Sequence, residues 1–309
     1  MRKIRLYWNN ICVLHKGELV FLDGIKRELE EEGIELEVTC FGLGYKYHLS
    51  DYLRREDSIL PDLIVSADLE VFEDERIFNR FKANLYPAFS WFKTKEGESV
   101  PSVYRSKFLL PYVIIPLVFY SPLKDVNKNL SLKEVASSSL PIAFGGINNS
   151  AGKSVVKTLL SSYKEEITSS IFKNALVTNM PVEAFNSARR GIKPLALVPS
   201  LFALNDSEGV AFAPLDGAVA VPSYIVALKS ADDSDLKSVV EKLNSPALLS
   251  FYRDRGALVT ALASSLENEW FVKENRGFQL PSNEYLKNLD SAAFYRYYCK
   301  HIPSADKHY

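Results

Sequence analysis

Two apolar runs, Leu109–Tyr120 and Gly217–Leu228, limit what this chain can fold into more than any other feature. Both are shorter than the about 20 apolar residues that cross a membrane, and both are interrupted by proline. Neither alternates apolar with polar, so each reads as a strand covered on both faces, the mark of a sheet lying between helices. A compact α/β block lies between the runs and further α/β segments flank them. A chain with this order leaves one lobe, builds a second and returns, and the cleft between lobes is where function is to be sought. The expected lobes are residues 1–112 with 222–309, and residues 113–221.

The flanks carry the alternation of a parallel sheet. Ile4–Trp8, Ile34–Thr39 and Asp62–Ser66 read as strands. Between them, Leu19, Leu22, Ile25 and Leu29 recur near helical spacing up to Gly33, and a short helix is predicted over Tyr47–Arg55. In the middle block the expected elements are a strand over Ser139–Phe144, a helix opening at Ser150, a helix over Val182–Arg190 and a strand over Pro194–Pro199. Helices over Asp232–Leu243 and Ala247–Ala263 follow the second run. Strands alternating with helices at this spacing imply βαβ units with right-handed crossovers. Residues 93–107 read as a surface loop, and the aromatic last forty residues are expected to wrap the first lobe.

Composition excludes some classes. The 309 residues are 47% apolar and 24% charged, as in ordinary globular proteins. Thirty-seven basic against 38 acidic side chains leave no basic excess for a nucleic-acid surface. Three separated cysteines, Cys12, Cys40 and Cys299, make neither a disulfide framework nor a metal motif. The first ten residues are basic without an apolar segment behind them. A cytoplasmic location is expected for the chain as it stands, and a periplasmic or cell-surface one if a leader has been trimmed.

The candidate site residues come from strand ends, because ligands of open parallel sheets sit beyond the carboxyl ends of the strands. This singles out Asn9, Asn10, Ser66 and Asp68 on the first lobe, Asn148, Asn149, Ser150, Asn179 and Ser200 on the second, and Tyr224 on the returning run. Each is also an ordinary turn former or cap. The segment Gly146–Ser154 approaches a phosphate loop but has five residues between its glycines where the motif requires four. The amides of its helix start remain a seat for an anion or polar ligand. An enzyme would need a poised titratable group, with His15, His48, Cys12 and Asp68 as candidates; Cys40 precedes His48 across a glycine loop. The acidic clusters at Glu28, Glu30, Glu31 and Glu32 and at Glu70, Glu73, Asp74 and Glu75 read as solvated helix faces. No cofactor, catalytic residue or metal ligand is assigned.

Four stretches together resemble the type II periplasmic binding-protein fold, as in the solute-binding proteins of ABC importers, and most closely its iron(III)- or anion-type branch. They are Pro61–Glu70, Tyr112–Phe119, Val182–Ser200 and Asp235–Leu262 with Gly256 near its end. The resemblance implies reversible capture of a small polar or anionic solute by hinge closure, with an ABC-importer membrane component as partner. The alternatives are an enzyme on the same two-lobed fold, of lyase or transferase type, or a cytoplasmic ligand sensor. Where the iron(III) binders of that family carry adjacent tyrosines, this chain has Ser200, Leu201 and Phe202.

Overall fold

The computed structural model describes residues 1–91, 106–138, 140–229, 231–256, 258–260 and 268–305. Its strands are β1 (Arg2–Asn9), β2 (Ile34–Phe41), β3 (Leu63–Ser66), β4 (Leu85–Tyr86), β5 (Leu110–Ser121), β6 (Ile142–Gly145), β7 (Ala175–Thr178), β8 (Leu195–Pro199), β9 (Val210–Phe212), β10 (Ala218–Leu228), β11 (Val259–Thr260) and β12 (Phe278–Gln279). The chain divides into two compact units, residues 1–114 with 222–267 and residues 115–221 with 268–309. Strands β5 and β10 each run from one unit into the other. They are the two apolar runs, and every residue of both is buried except the half-buried Ile115.

In the first unit the strand order is β2-β1-β3-β10, with β1 parallel to β2 and β3 and with β10 antiparallel to β3. The helix His15–Glu31 makes the first crossover and buries Glu18, Leu22, Ile25 and Leu29. These four positions keep strict helical phase. Leu19, expected in the stripe, is exposed, and a glutamate takes the inward position. The acidic cluster at 70–75 also differs from expectation: Glu70 and Asp74 are buried and pair with Arg54 at 3.1 and 3.3 Å. Burial alone would raise the Asp74 carboxyl, but hydrogen bonds and charge from Arg76 and Arg54 hold it below the ordinary range. Glu28 and Glu32 meet Lys242 at 3.1 and 2.9 Å.

In the second unit β6 is parallel to β7 and β8, and β8 lies antiparallel to β5. The helical segment opening at Ser150 reaches Ile171 across a kink at Lys164, where φ is +66°, and a helix over Pro181–Arg189 follows β7. The tail is where the sequence reading fails. Residues 268–309 belong to the second unit instead of wrapping the first. The helix Ser291–His301 buries Phe294, Tyr295 and Tyr298 against Ile147 and Val156, and the Tyr298 hydroxyl donates to the Ile147 carbonyl at 2.8 Å. Tyr163 extends the attachment, bonding Asp216 at 2.6 Å and Gln279 of β12 at 2.9 Å. The expected loop at 93–107 falls almost wholly outside the described residues.

The packing of Phe294 sets an expected outcome. Phe294→Ala removes a ring 4% exposed and leaves a cavity under the tail helix. It should cost about 3–5 kcal/mol in urea unfolding.

Candidate functional site

In the first unit the fold brings the expected residues to one sheet edge. Asn9 ends β1 and Ser66 ends β3, each one position beyond the paired Trp8 and Val65. Tyr224 on β10 pairs with Ser66, is buried, and meets Phe72 edge-on at 5.6 Å. Their roles are unequal. The Ser66 hydroxyl accepts from the Asp68 amide at 2.9 Å, and Asp68 Oδ2 accepts from the Ser50 amide at 3.0 Å, at the start of the helix Leu49–Arg54. Asp68 thus holds the helix start, the role that its residue type also allowed.

Asn9 and Asn10 lie against the glycine turn that follows β2. Asn10 is 9% exposed and its Nδ2 donates to the Leu43 carbonyl at 3.0 Å. Gly42 has a φ of +102°, and a Cβ there would run into Asn10 Oδ1 and lie 3.2 Å from Asn9 Nδ2. Only glycine lets the turn close this tightly on the two amides.

Behind that edge sits a residue that the sequence reading missed. Glu18 is 1% exposed; its carboxylate accepts from the Ile11 amide at 3.1 Å and from the Tyr252 hydroxyl at 2.9 Å. Burial pushes its carboxyl up to about 7, against the hydrogen bonds from Tyr252 and Ile11 and the neighbouring Trp8 indole, which pull it down. His15 Nδ1 lies 3.6 Å from Glu18 Oε2, and His15 Nε2 lies 2.6 Å from the Tyr45 hydroxyl. Burial also lowers the His15 pKa, which favours the neutral ring. The available signal was phase: Glu18 stands four residues before Leu22 on an otherwise apolar stripe.

The cysteine–histidine readings find no support in this geometry. Burial raises the Cys40 thiol and disfavours the thiolate, outweighing the Tyr45 hydroxyl, whose hydrogen bond acts in the other direction. His48 is exposed and makes no side-chain cap bond at its helix start. The side chain of Cys12 lies outside the described residues.

In the second unit the candidates again gather at the carboxyl ends of parallel strands. Asn148, Asn149 and Ser150 follow β6, the exposed Asn179 follows β7, and the fully buried Ser200 follows β8. Asn149 is the N-cap of the helix Ser150–Ile171, its Oδ1 accepting from the Ala151 amide at 2.9 Å. The Gly152 amide bonds the Gly146 carbonyl. Two of the helix-start amides that the sequence offered to an anion are therefore already engaged. Lys153, the apparent phosphate-loop lysine, is buried and sits 5.4 Å from the centre of the Tyr295 ring. Both facts separate this turn from a phosphate loop, whose amides and lysine point at ligand. What remains is a polar edge of amides and hydroxyls, braced beneath by Tyr298 at the Ile147 carbonyl.

Two outcomes follow. Gly42→Ala should cost about 1–2 kcal/mol through its left-handed backbone and displace the Asn10 amide, both readable by urea unfolding and by the Asn10 side-chain resonance. Glu18 is bound more tightly by its proton when folded, so its contribution is whole below the ordinary carboxyl range and lost as pH rises through about 7. Measured against Glu18→Gln, wild-type stability should fall by roughly 2–3 kcal/mol between pH 5 and pH 8.

No protein-family model matches the chain, and no curated protein matches it. Solved structures do. The apo ferric ion-binding protein A of Pasteurella haemolytica is 13% identical with a TM-score of 0.69, over 100% of both chains. Iron-bound HitA of Pseudomonas aeruginosa is 13% identical with a TM-score of 0.70, over 97% of this chain and 99% of its own. A periplasmic thiamin-binding protein is 14% identical with a TM-score of 0.67, over 97% of this chain and 96% of its own. At such identities likeness speaks for the backbone alone. The likeness runs over nearly the full length of each of these chains, and the chain has the type II periplasmic-binding-protein-like fold.

Proposed function

We propose that the protein is a solute-binding protein that captures a small polar or anionic ligand reversibly, contacted by the strand-end residues of both units and held by hinge closure. The observation that carries this reading is the gathering of amide and hydroxyl side chains, Asn9 and Asn10 in one unit and Asn148, Ser150 and Ser200 in the other, at the carboxyl ends of parallel strands. Such groups recognise a ligand through directed hydrogen bonds. The same fold serves ferric-ion and thiamin binders, and an ABC-importer membrane component is the partner this role calls for.

Donor chemistry narrows the ligand. Ferric ion asks for hard anionic oxygens. The residues at the start of the helix Ser200–Ala203 are Ser200, Leu201 and Phe202, with no phenolate among them. The Asp68 carboxylate is turned to the Ser50 amide. Neutral donors suit an oxyanion, a carboxylate or a polar organic solute better than a bare trivalent cation. An enzyme on this fold would need a titratable group among the strand-end residues, and Cys40 is held as a thiol behind them.

A thermal-shift screen of phosphate, molybdate, small carboxylates, amino acids, thiamin and ferric ion tests the proposal. A ligand specific to the native state should raise stability by roughly 2.7 kcal/mol at a hundredfold excess over Kd. Asn10→Ala and Ser200→Ala should each weaken that ligand about tenfold in calorimetric titration, the loss of one directed hydrogen bond. A ligand that binds both variants as it binds the wild type, or that is chemically consumed, would overturn the assignment.

A further inference from the structure

We propose that Glu18 is the positioning residue of the first unit's binding edge: buried behind the exit of β1, its carboxylate fixes the Ile11 amide and through it the Asn9–Asn10 pair, and it tightens or relaxes that hold as it loses or gains a proton. The inference rests on the reading of Asn9 and Asn10 as ligand contacts.

The geometry is continuous from the carboxylate to the edge. Both carboxylate oxygens face the Ile11 amide, at 3.1 and 3.4 Å, so the first residue past Asn10 is tied to the helix His15–Glu31. Asn10 is fixed from its other side, its amide nitrogen donating to the Phe41 carbonyl at 3.0 Å and its Nδ2 to the Leu43 carbonyl. Ile11 and Asn10 share a peptide unit, so a change at the Ile11 amide is passed to Asn10 without an intermediary. A carboxylate holds an amide about twice as strongly as a carboxylic acid does, because the acceptor is charged.

The groups around Glu18 leave the proton to Glu18 itself. On its own helix His15 approaches at 3.6 Å, and burial favours the neutral ring. From the helix Pro246–Gly256, Tyr252 donates to the carboxylate, and its hydroxyl is raised far above neutrality by burial. From β5, Tyr112 is raised in the same way and donates its hydroxyl to the Leu243 carbonyl. Cys40 of β2 and Tyr45 of the glycine turn are likewise raised by burial and stay neutral. Trp8 of β1 does not titrate. Among the described residues no lysine or arginine pairs with it, and burial pushes the carboxyl up to about 7. At mildly acid pH the strand exit is loosened, and above neutrality it is locked.

The test uses the ligand-free full chain, labelled with ¹⁵N and followed by amide spectra from pH 5.5 to 8.5. The Ile11 backbone amide and the Asn10 side-chain amide should titrate together with one midpoint near neutrality. In Glu18→Gln both should be flat. In Tyr252→Phe, which removes a donor to the carboxylate, the shared midpoint should move upward; this variant serves also if Glu18→Gln does not fold. An Ile11 amide that does not titrate in the wild type, or one that titrates while the Asn10 side chain stays fixed, overturns the proposal and leaves Glu18 an ordinary buried acid. Because no ligand is present, these outcomes are independent of the solute screen. A blank screen would count against the binding function, and a missing titration would count against Glu18 alone.

Discussion

Burial of β5 and β10 on both faces is the constraint on which the rest of the structure depends. A strand with no polar side cannot sit at a water-facing sheet, so each needs cover from helices above and below. That cover comes in crossover units, whose own strands, β1–β3 in one unit and β6–β8 in the other, lie parallel with their carboxyl ends at one edge of that unit. The polar residues of interest, from Asn9 and Ser66 to Ser150 and Ser200, stand where they do because the strands before them end there; β3, β6 and β8 are buried throughout and β1 is buried over Leu6–Trp8. Placement of the candidate site is therefore a consequence of what must be hidden, and its chemistry of the few residues that follow.

Most of these residues have a second task that holds them still. Asn149 caps a helix, Asp68 secures another, and Asn10 closes a glycine turn. A side chain already fixed by a backbone partner keeps less conformational freedom to be lost when ligand arrives. The same bonds use up donors and acceptors, so a ligand meets fewer available groups than the sequence suggests. The second unit shows the balance most clearly, since Ala151 and Gly152 direct their amides inward while Tyr298 supports the turn from below.

Periodicity made the long elements legible. β1, β2, the two crossing strands and the helices after β1, β6, β7 and β10 all lie within a few residues of the pattern that announces them. The two-residue strands β4, β11 and β12 were not legible, because so short a pairing has no period of its own and exists only where a longer strand offers it an edge. The helix Ser291–His301 shows a different limit. Its aromatic stripe declares that one face is covered, but a stripe carries no address, and the partner proved to be the turn around Ile147. Glu18 and Arg54 fail for a related reason. A charged residue in an apolar phase looks like noise until its partners, Tyr252 and Ile11 in one case and Glu70 and Asp74 in the other, are known.

The tail helix also bears on how the chain is made. Synthesis proceeds from the amino terminus, and domains generally fold as their residues emerge. The first unit needs residues 222–267, and the second needs 268–309. The turn that carries Asn148 and Asn149 is thus completed only when Tyr298, 151 residues after Ile147, and Phe294 close beneath it. Until then the part of Ile147 and Val156 that these rings cover stays open to solvent, with Leu160, Phe172 and Val177 already packed on the same cluster. A chain interrupted between residues 267 and 291 therefore holds every residue of the first unit but lacks the helix that braces the second candidate edge.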